Sequence, residues 1–420
     1  MQRRTSRLLL AGALAATTAL GLTACGSGFS SSSSSAGASS GALTSSDQPL
    51  SVLIGSSGDA ETKAVSTAVA DWSKSSGTKA TVTAASDLNQ QLSQGFASGK
   101  PADVFYVSTD QLAGYAKNGS LLAYGDKLDN KSDFFPTLVK SFTVDGTFYC
   151  APKDFSTLGL VINTTMWKQA GLTDSDIPKT WEDLKTVAAK LTSNGHVGLA
   201  LSPQYARVAA FMAEAGGSFT NAAGTEATVD SSGNQQGLEY LQGLLKSGDA
   251  KFSSDLGTGW GGESFGKGQA AMTVEGNWIT GALSADYPDI KYTVAEMPAG
   301  PAGQGTLQFT NCWGIAKDSP NQKAALDLVE KLTSTDQQLA FAKAFGVMPS
   351  VQSAAETWKT DNPDLAPFLD SASFAKGVPN QYQSADVIAA FDSKVAGLKT
   401  ADVKSLLATT QKQFAAILVK

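Results

Sequence analysis

The chain has 420 residues, a length sufficient for two domains that each have a hydrophobic core. Hydrophobic residues make up 42% of the chain, which indicates an ordinary soluble α/β protein. The formal net charge of −6, with no basic block, argues against a nucleic-acid partner. Beyond residue 7 the only arginine is Arg207, and the only histidine is His196. We therefore expect no histidine-based catalysis, no metal site and no cofactor. We expect Arg207 at the surface and assign His196 no role.

The N-terminus has the pattern of an export leader. Residues 1–7 are basic and residues 8–20 are apolar, a run too short to span a membrane. The next residues, LTAC at 22–25, resemble the lipobox of bacterial lipoproteins, in which the cysteine is acylated and becomes the new N-terminus. The alternative is a plain secretory signal with a chance cysteine. We predict a lipoprotein signal at 1–24 and lipidation of Cys25.

A Ser/Gly-rich segment follows at residues 25–48. It offers almost nothing to bury, so we predict a flexible tether. A coil of this length spans roughly 25–30 Å root-mean-square. Such a tether would hold a folded domain clear of the lipid headgroups.

Alternating strands and helices come next. Residues 50–54, 79–84 and 103–107 predict strands, and residues 61–74 and 88–98 predict helices, the pattern of a doubly wound parallel sheet. Ligands of such sheets bind beyond the carboxyl ends of the strands, where Ser57, Asp87 and Asp110 are found. For each of these residues, a solvated turn or a helix cap is the alternative.

A polar run interrupts apolar sequence at residues 153–157. Residues 148–152 and 158–162 predict two buried strands, and Asp154 and Ser156 lie between them. Polar groups at this place indicate a chain that crosses between domains beside a cleft, although a surface loop within one sheet fits equally well. Residues 309–315 (FTNCWGI), which contain Asn311 and Trp313, predict a second crossing.

Further helices and strands follow the first crossing. Thr180 and Asp183 form a predicted capping box, and a strand at 199–201 leads into a helix through Tyr205. A strand at 270–274 ends in EGNW, which contains Glu275, Asn277 and Trp278. Helices are also predicted at 234–247, at 321–345, around 351–360 and from 385 to the end.

Three segments in this order resemble the family 1 extracellular solute-binding proteins, the maltose-binding-like receptors of ABC importers. They are KDFSTLGLVINTTMWKQAGLTD…IPKTWEDL, FGKGQAAMTVEGNW and WGIAKDSPNQKAALDLVEKLTS. The resemblance implies an α/β, two-lobed periplasmic-binding-protein-like fold (type II) whose lobes, joined by crossing strands, close over a sugar. It also implies delivery to ABC transporter permease subunits. With the leader, it predicts a monomer anchored on the extracellular face of a Gram-positive cell membrane.

The resemblance and the two crossings together predict the domain boundaries. Residues 49–154 and 312–347 form lobe 1, and residues 155–311 and 348–420 form lobe 2. The cleft between the lobes is the expected ligand site.

A sugar presents hydroxyl groups and an apolar face, so its site needs carboxylates, amides and flat aromatic rings. The resemblance matches Tyr205 and Trp278 to sugar-stacking positions and Asp110 to a carboxylate that binds sugar hydroxyls. Val107 and Ser156 replace a tryptophan and an acid of the maltose binder, which puts maltose itself in doubt. The full predicted ligand set is Ser57, Asp87, Asp110, Asp154, Ser156, Tyr205, Trp260, Glu275, Asn277, Trp278, Asn311 and Trp313.

The remaining tryptophans, 72, 167, 181 and 358, lie on amphipathic helices or at their starts and are expected in the core. Two other classes of function stay open. One is a binder of another solute, such as a polyamine, iron or a peptide; the other, less favoured, is a glycan-cleaving enzyme that uses a pair such as Asp154 and Glu275. No nucleophile-elbow, Walker A or metal motif supports an enzyme.

Two cysteines remain once Cys25 is lipidated. Exported proteins meet oxidising conditions, and Cys150 and Cys312 each lie beside a predicted crossing. We predict that they form a disulfide rather than two buried thiols.

Overall fold

The computed structural model of the protein describes residues 42–193 and 195–418. The leader, Cys25 and most of the predicted tether lie outside these residues. The last residues of the predicted tether form hydrogen bonds with the folded part of the chain. The Thr44 amide donates to Gln322 Oε1 (3.1 Å), and the Thr44 hydroxyl donates to the Ser319 carbonyl (2.8 Å). The Gln48 carbonyl accepts from Asn321 Nδ2 (3.2 Å). Residues 44–48 therefore pack on the folded part of the chain.

The first part of the chain forms the predicted parallel sheet. Strand β1 lies between β2 and β3 and is parallel to both. This confirms the doubly wound pattern. The elements are β1 (Leu50–Ile54), α1 (Asp59–Ser76), β2 (Ala80–Ala84), α2 (Leu88–Ala97), β3 (Val104–Ser108), α3 (Thr109–Lys117), α4 (Pro136–Ser141), β4 (Thr143–Val144), β5 (Thr147–Phe148) and β6 (Ala151–Asn163).

Strand β6 differs from the prediction. We expected two strands separated by polar residues 153–157, but Ala151–Asn163 form one unbroken strand. A polar residue can lie in a buried strand when a neighbouring group satisfies it, and the polar groups of this strand have such partners. The surface-loop alternative is therefore wrong, because the segment is an interior strand of the sheet.

The next part of the chain forms the other half of the sheet. Strand β7 is parallel to its two neighbours, β8 and β9, while β9 is antiparallel to β6. The elements are α5 (Thr164–Gln169), α6 (Trp181–Leu191), β7 (Val197–Leu201), α7 (Tyr205–Glu214), α8 (Ser232–Ser247), β8 (Ala250–Phe252), α9 (Gly261–Gly266), β9 (Ala270–Gly276), α10 (Ile279–Asp286), β10 (Tyr292–Ala295) and β11 (Thr306–Ile315).

Strands β6 and β11 join the two halves. The strand order is β2-β1-β3-β11-β6-β9-β7-β8, and β11 is antiparallel to both β3 and β6. The chain after α12 also passes this pair, because Phe155 and Met348 exchange two backbone hydrogen bonds. The remaining elements are α11 (Gln322–Leu332), α12 (Thr335–Phe345), α13 (Ala355–Asp361), α14 (Ala366–Asp370), β12 (Ala375–Gly377), α15 (Ser384–Val395) and α16 (Val403–Leu418).

Separate hydrophobic cores lie on the two sides of this pair. The first core includes Ile54, Val65 and Phe105, and the second includes Phe211 and Met272. A smaller third cluster contains Phe155, Met348 and Phe368, beside the crossing strands. Two-lobed packing around separate cores is the arrangement that the resemblance implies; the exact lobe boundaries stay a prediction.

Most of the remaining tryptophans lie in the core as expected, since Trp72, Trp167 and Trp358 are buried. Trp181 is partly buried and stacks on Tyr240. None of the described helices combines the length and the apolar composition that a membrane span requires.

The predicted disulfide is confirmed. Cys150 and Cys312 are bonded, with their Cα atoms 5.7 Å apart, and both are buried. The bond ties β11 to the residue that precedes β6, next to the register shift between Asn311 and Cys312. It therefore holds the two joining strands together at the edge of the first core.

Replacing both cysteines by serine should destabilise the protein. The bond closes a loop across 162 residues, and the chain-entropy argument gives about 5 kcal/mol as an upper figure, with losses of about 2–5 kcal/mol usual for native disulfides. Urea unfolding of wild type and the double variant measures the difference. An equal free energy of unfolding would contradict a stabilising role, and alkylation of the denatured wild type without reductant checks that the bond is present.

Candidate functional site

One face of the two joining strands and of the adjacent end of β3 carries four polar side chains and one aromatic ring. Asn311 on β11 lies opposite Ser108 on β3 and Asp154 on β6, and Phe309 lies opposite Ser156. Directly opposed residues of antiparallel strands point to the same face, as do residues two apart on one strand. These five side chains therefore form one surface that runs along the joint between the two halves of the sheet.

A buried charge cluster lies at one end of this surface. Lys153 Nζ contacts a carboxylate oxygen of Asp154 and lies 3.0 Å from Glu61 Oε1. The amide and hydroxyl of Ser57 both donate to Glu61 Oε2 at 2.7 Å, and the Tyr106 hydroxyl donates to Oε1 at 2.9 Å. We call Glu61, Lys153 and Asp154 the lysine cluster; it carries two potential negative charges and one positive charge.

Burial acts on every member of the lysine cluster. It raises the pKa of Glu61, but Lys153 and the Ser57 donors lower that pKa further, so the net shift is downward. Burial lowers the pKa of Lys153, and the two carboxylates raise it above its ordinary value. Burial also raises the pKa of Asp154, and the opposing effect of Lys153 does not cancel the shift. The lysine is therefore held charged between its partners.

A second group lies at the other end, on the side of the second core. Arg207 Nη2 and Nε donate to Glu275 Oε2 at 2.7 and 3.1 Å, and Trp278 Nε1 donates to the same oxygen at 3.1 Å. The Arg207 guanidinium carbon is 5.2 Å from the Trp278 ring centroid. Phe309 packs edge-on against this ring, with centroids 5.4 Å apart, and so connects the group to β11. We call Arg207, Glu275 and Trp278 the tryptophan cluster.

The Trp278 indole is positioned by the backbone beneath it. A Cβ at Gly276 would lie 2.2 Å from a ring carbon of Trp278, so only glycine leaves room for the ring. The half-buried indole is thus fixed by a close glycine, a carboxylate and a guanidinium. A rigid, partly exposed aromatic ring of this kind suits stacking on a ligand.

Three residues on one face of the chain at β9 carry buried oxygens with no hydrogen-bond partner in the described part of the chain. They are Thr273 Oγ1, Glu275 Oε1 and Asn277 Oδ1. Burial raises the pKa of Glu275 despite the nearby Arg207. A buried acceptor without a donor costs about 1–3 kcal/mol. The three residues are at most 2% exposed, so these oxygens do not lie on the surface that a ligand contacts.

The structure brings some predicted ligand residues together and separates others. Asp110 is the second residue of α3, in its first turn, two residues after Ser108. Ser57 is occupied by Glu61, and exposed Asp87 caps α2 by accepting from the Gln90 amide. Asn277 Nδ2 donates to the Gly346 carbonyl at 3.0 Å. The members of the predicted set that lie on the shared face or in the two clusters are Asp154, Ser156, Glu275, Trp278 and Asn311.

The aromatic predictions need two corrections. Tyr205 is 4% exposed and packs edge-on against Phe219 and Phe391, so it belongs to the second core. Trp313 is 1% exposed and packs on Tyr106 in the first core. Both rings point away from solvent because their neighbours supply enough apolar surface to cover them. Trp260 is half-buried, with its ring against Gly262.

Four residues of the candidate site were not identified from the sequence. We expected Arg207 at the surface, but it is 9% exposed and paired with Glu275. The available signal was that Arg207 is the single arginine after the leader. A buried guanidinium needs a carboxylate partner, and Glu275 supplies it. Glu61 has the pattern of an ordinary acid in the first turn of α1, and Phe309 gives no local signal. Lys153 begins the polar run at 153–157, but nothing in that run identifies its partner Glu61.

Lys153→Met should destabilise the folded protein by about 3–5 kcal/mol at neutral pH, because it leaves Glu61 and Asp154 buried without a cation. The Glu61 pKa is lowered in the folded state, so the stability it contributes is present above its unfolded pKa and is lost as pH falls through its folded pKa. The difference between variant and wild type should therefore shrink in acid. Urea unfolding across that pH range measures it, and Lys343→Met, at an exposed lysine, is the control. Equal stability of wild type and Lys153→Met at neutral pH would contradict the cluster's role.

No group of three or more His, Cys, Asp or Glu side chains that could hold a metal ion occurs within residues 42–193 and 195–418. The clusters instead present hydrogen-bonding groups and an aromatic ring. This chemistry is that of a site for a polar organic solute.

Comparisons with known proteins identify the family and the fold. The chain is 24% identical over 317 residues to a putative binding protein of Brucella abortus (71% of this chain, 76% of the relative). It is 26% identical over 286 residues to the diacetylchitobiose binding protein DasA of Streptomyces coelicolor (65% of this chain, 66% of the relative). The solved cyclic alpha-maltosyl-1,6-maltose binding protein of Arthrobacter globiformis shares the fold, with a TM-score of 0.78 at 23% identity (88% of this chain, 98% of that chain).

The family model for bacterial extracellular solute-binding proteins matches residues 67–367. The match includes β3, β6, β9 and β11, on which most of the candidate site is built. It confirms the resemblance found in the sequence. The chain belongs to the bacterial extracellular solute-binding protein family.

Proposed function

We propose that the protein is the receptor of an ABC importer and that it captures a carbohydrate, an oligosaccharide, between its two lobes. The observation that carries this proposal is the half-buried ring of Trp278, which Gly276, Glu275 and Arg207 hold in place beside the polar face of the joining strands. A sugar supplies an apolar face for the indole and hydroxyl groups for the neighbouring polar side chains. The names of the Streptomyces and Arthrobacter relatives, both saccharide binders, support the same ligand class.

The two clusters explain how binding would close the lobes. The lysine cluster packs with the first core, and the tryptophan cluster lies on the side of the second core. A sugar that contacts both favours the closed form by its differential affinity for that form, and a permease would then recognise the closed receptor. We infer no catalysis: Glu275 is paired with Arg207 and Asp154 with Lys153, and the family to which the chain belongs consists of solute-binding proteins.

The charges of the two clusters narrow the ligand class. The buried cations Lys153 and Arg207 are both paired with carboxylates. A ligand carboxylate or phosphate would meet Asp154 and Glu275 without a free cation, which is unfavourable in a buried place. A neutral saccharide therefore fits this site better than its uronate or phosphorylated counterpart.

Trp278→Ala should weaken saccharide binding by about 1–3 kcal/mol through lost stacking and burial, while Trp278→Phe should retain much of the affinity. A thermal-shift screen of neutral saccharides on protein lacking residues 1–24 would find the ligand, since a ligand at 1,000 times its Kd adds about 4 kcal/mol of stability. Titration calorimetry then compares the variants, each first shown to be folded.

Two results would contradict the proposal. A polyamine, a ferric complex or a peptide that stabilises the protein, while no saccharide does, would favour the other solute classes. Cleavage of a bound oligosaccharide, seen by product analysis after incubation, would favour an enzyme.

We also propose that the protein is a monomeric lipoprotein, anchored through Cys25 to the outer face of the cell membrane of a Gram-positive bacterium. The LTAC segment and the tether that follows it support this location. The buried disulfide is consistent with export.

Cys25→Ala should block maturation or release the protein from the membrane, because the acylated cysteine would be the anchor. Fractionation of cells expressing wild type and variant, with mass spectrometry of the mature N-terminus, measures this. Wild-type protein found entirely in the medium, without lipid on its N-terminus, would exclude the anchor.

A further inference from the structure

One aromatic side chain stands apart from the cores. Tyr382 is 43% exposed and is the only large hydrophobic side chain classed as exposed within residues 42–193 and 195–418. It lies in the turn between β12 and α15. The next residue, Gln383, has φ +67°, in the left-handed region that non-glycine residues rarely adopt. Strained backbone persists where the surrounding structure holds it, and it concentrates at functional places.

The Tyr382 ring rests on helix α3. A Cβ at Gly114 would lie 3.6 Å from two of its ring carbons, which is ordinary contact, and Lys117 Nζ is 5.0 Å from the ring centroid. The absence of a side chain at Gly114 lets the ring approach the helix. The helix thus supports part of the ring, and the rest of the ring is open to solvent.

Helix α3 connects this ring to the candidate site. Asp110, Gly114 and Lys117 are spaced i, i+4 and i+7, so they lie on one face of α3. Gly114 is about 6 Å along the helix axis from Asp110. Asp110 is two residues after Ser108 of β3, which lies opposite Asn311 of the joining strand β11. The ring of Tyr382 therefore continues the line of polar groups that begins on the joining strands and passes through Asp110.

The turn that carries Tyr382 is held on both sides. Asn380 Nδ2 donates to the Ser141 carbonyl at 2.9 Å, and Lys376 Nζ donates to the Gly217 carbonyl at 3.0 Å. Within the turn, the Ser384 hydroxyl donates to the Pro379 carbonyl at 3.0 Å. A ring on such a support loses little conformational freedom when a ligand stacks on it, which favours binding.

We propose that Tyr382 forms an outer saccharide subsite, in which a ring of an oligosaccharide beyond the unit bound at the tryptophan cluster stacks on the exposed part of the tyrosine while Asp110 binds its hydroxyls. This rests on the proposed function and deepens it, because a second aromatic surface makes the site one for a chain of sugars. The recognised chemistry is the apolar face of a pyranose ring together with adjacent hydroxyl groups.

The test compares ligands of increasing length. Wild type and Tyr382→Ala are titrated by calorimetry with the chito-oligosaccharide and malto-oligosaccharide series, starting from the disaccharides. Tyr382→Ala should bind the longer members of the series that the protein accepts about five- to tenfold more weakly. It should bind the shortest accepted member as wild type does, within about twofold, because that ligand does not reach the outer subsite.

Two control variants separate stacking from other roles. Tyr382→Phe should keep the affinity for long ligands, because the ring and not the hydroxyl is required. Lys117→Gln removes the ammonium 5.0 Å from the ring centroid and should leave the length dependence in place. Tyr382 is largely exposed, so its variants should fold, which thermal unfolding checks.

The contradicting outcomes are distinct. If wild type binds longer oligosaccharides and Tyr382→Ala binds them equally well, the outer subsite is excluded while the proposed function stands. If Tyr382→Ala weakens short and long ligands by the same factor, the tyrosine does not form a separate subsite. If wild type binds neither series, the proposed function fails for these sugars, and the subsite fails with it.

Discussion

The antiparallel contact between β6 and β11 is the constraint on which the rest of the structure depends. These strands join two parallel half-sheets with separate cores, and a buried disulfide ties them beside a register shift. Opposed residues of neighbouring strands share a face, so Asp154, Ser156, Phe309 and Asn311 form one surface without any loop. A site built on strands is more precisely positioned than one built on loops. Both charge clusters border this surface.

The buried charges of the two clusters are paired in different ways. In the lysine cluster one cation serves two carboxylates, and Ser57 and Tyr106 complete the hydrogen bonds of Glu61. In the tryptophan cluster one oxygen of Glu275 accepts three donors from two residues, while its other oxygen has no partner in the described chain. A buried network with satisfied hydrogen bonds gives rigidity, whereas the half-buried ring of Trp278 keeps a surface on which a ligand can stack. The first cluster therefore suits support, and the second suits binding.

Local patterns predicted the elements whose sequence is locally consistent, such as the first three strands and the Thr180 capping box. The polar residues at 153–157 predict two strands where the structure has the single strand β6. The partners of these polar residues are distant in sequence: Lys153 pairs with Glu61, and the Thr157 hydroxyl donates to the Phe368 carbonyl. The resemblance to the family predicts Tyr205 at the cleft, and the Asn and Gly residues that flank Trp313 predict the same for that ring. Only the tertiary packing shows that Phe219, Phe391 and Tyr106 cover them.

Small residues beside large rings show how the chain places its aromatic side chains. A Cβ at Gly276 or at Gly262 would lie 2.2 Å from the ring of Trp278 or Trp260, respectively, so each indole lies flat on a neighbouring turn of backbone. Gly114 leaves a looser space, in which Tyr382 makes ordinary contact with α3. A glycine beneath a ring does not by itself expose that ring, because Phe148 lies as close to Gly125 and is buried. The side chains around the other face decide the exposure: Tyr205 and Trp313 are enclosed by other rings, whereas Trp278, Trp260 and Tyr382 keep part of their surface accessible.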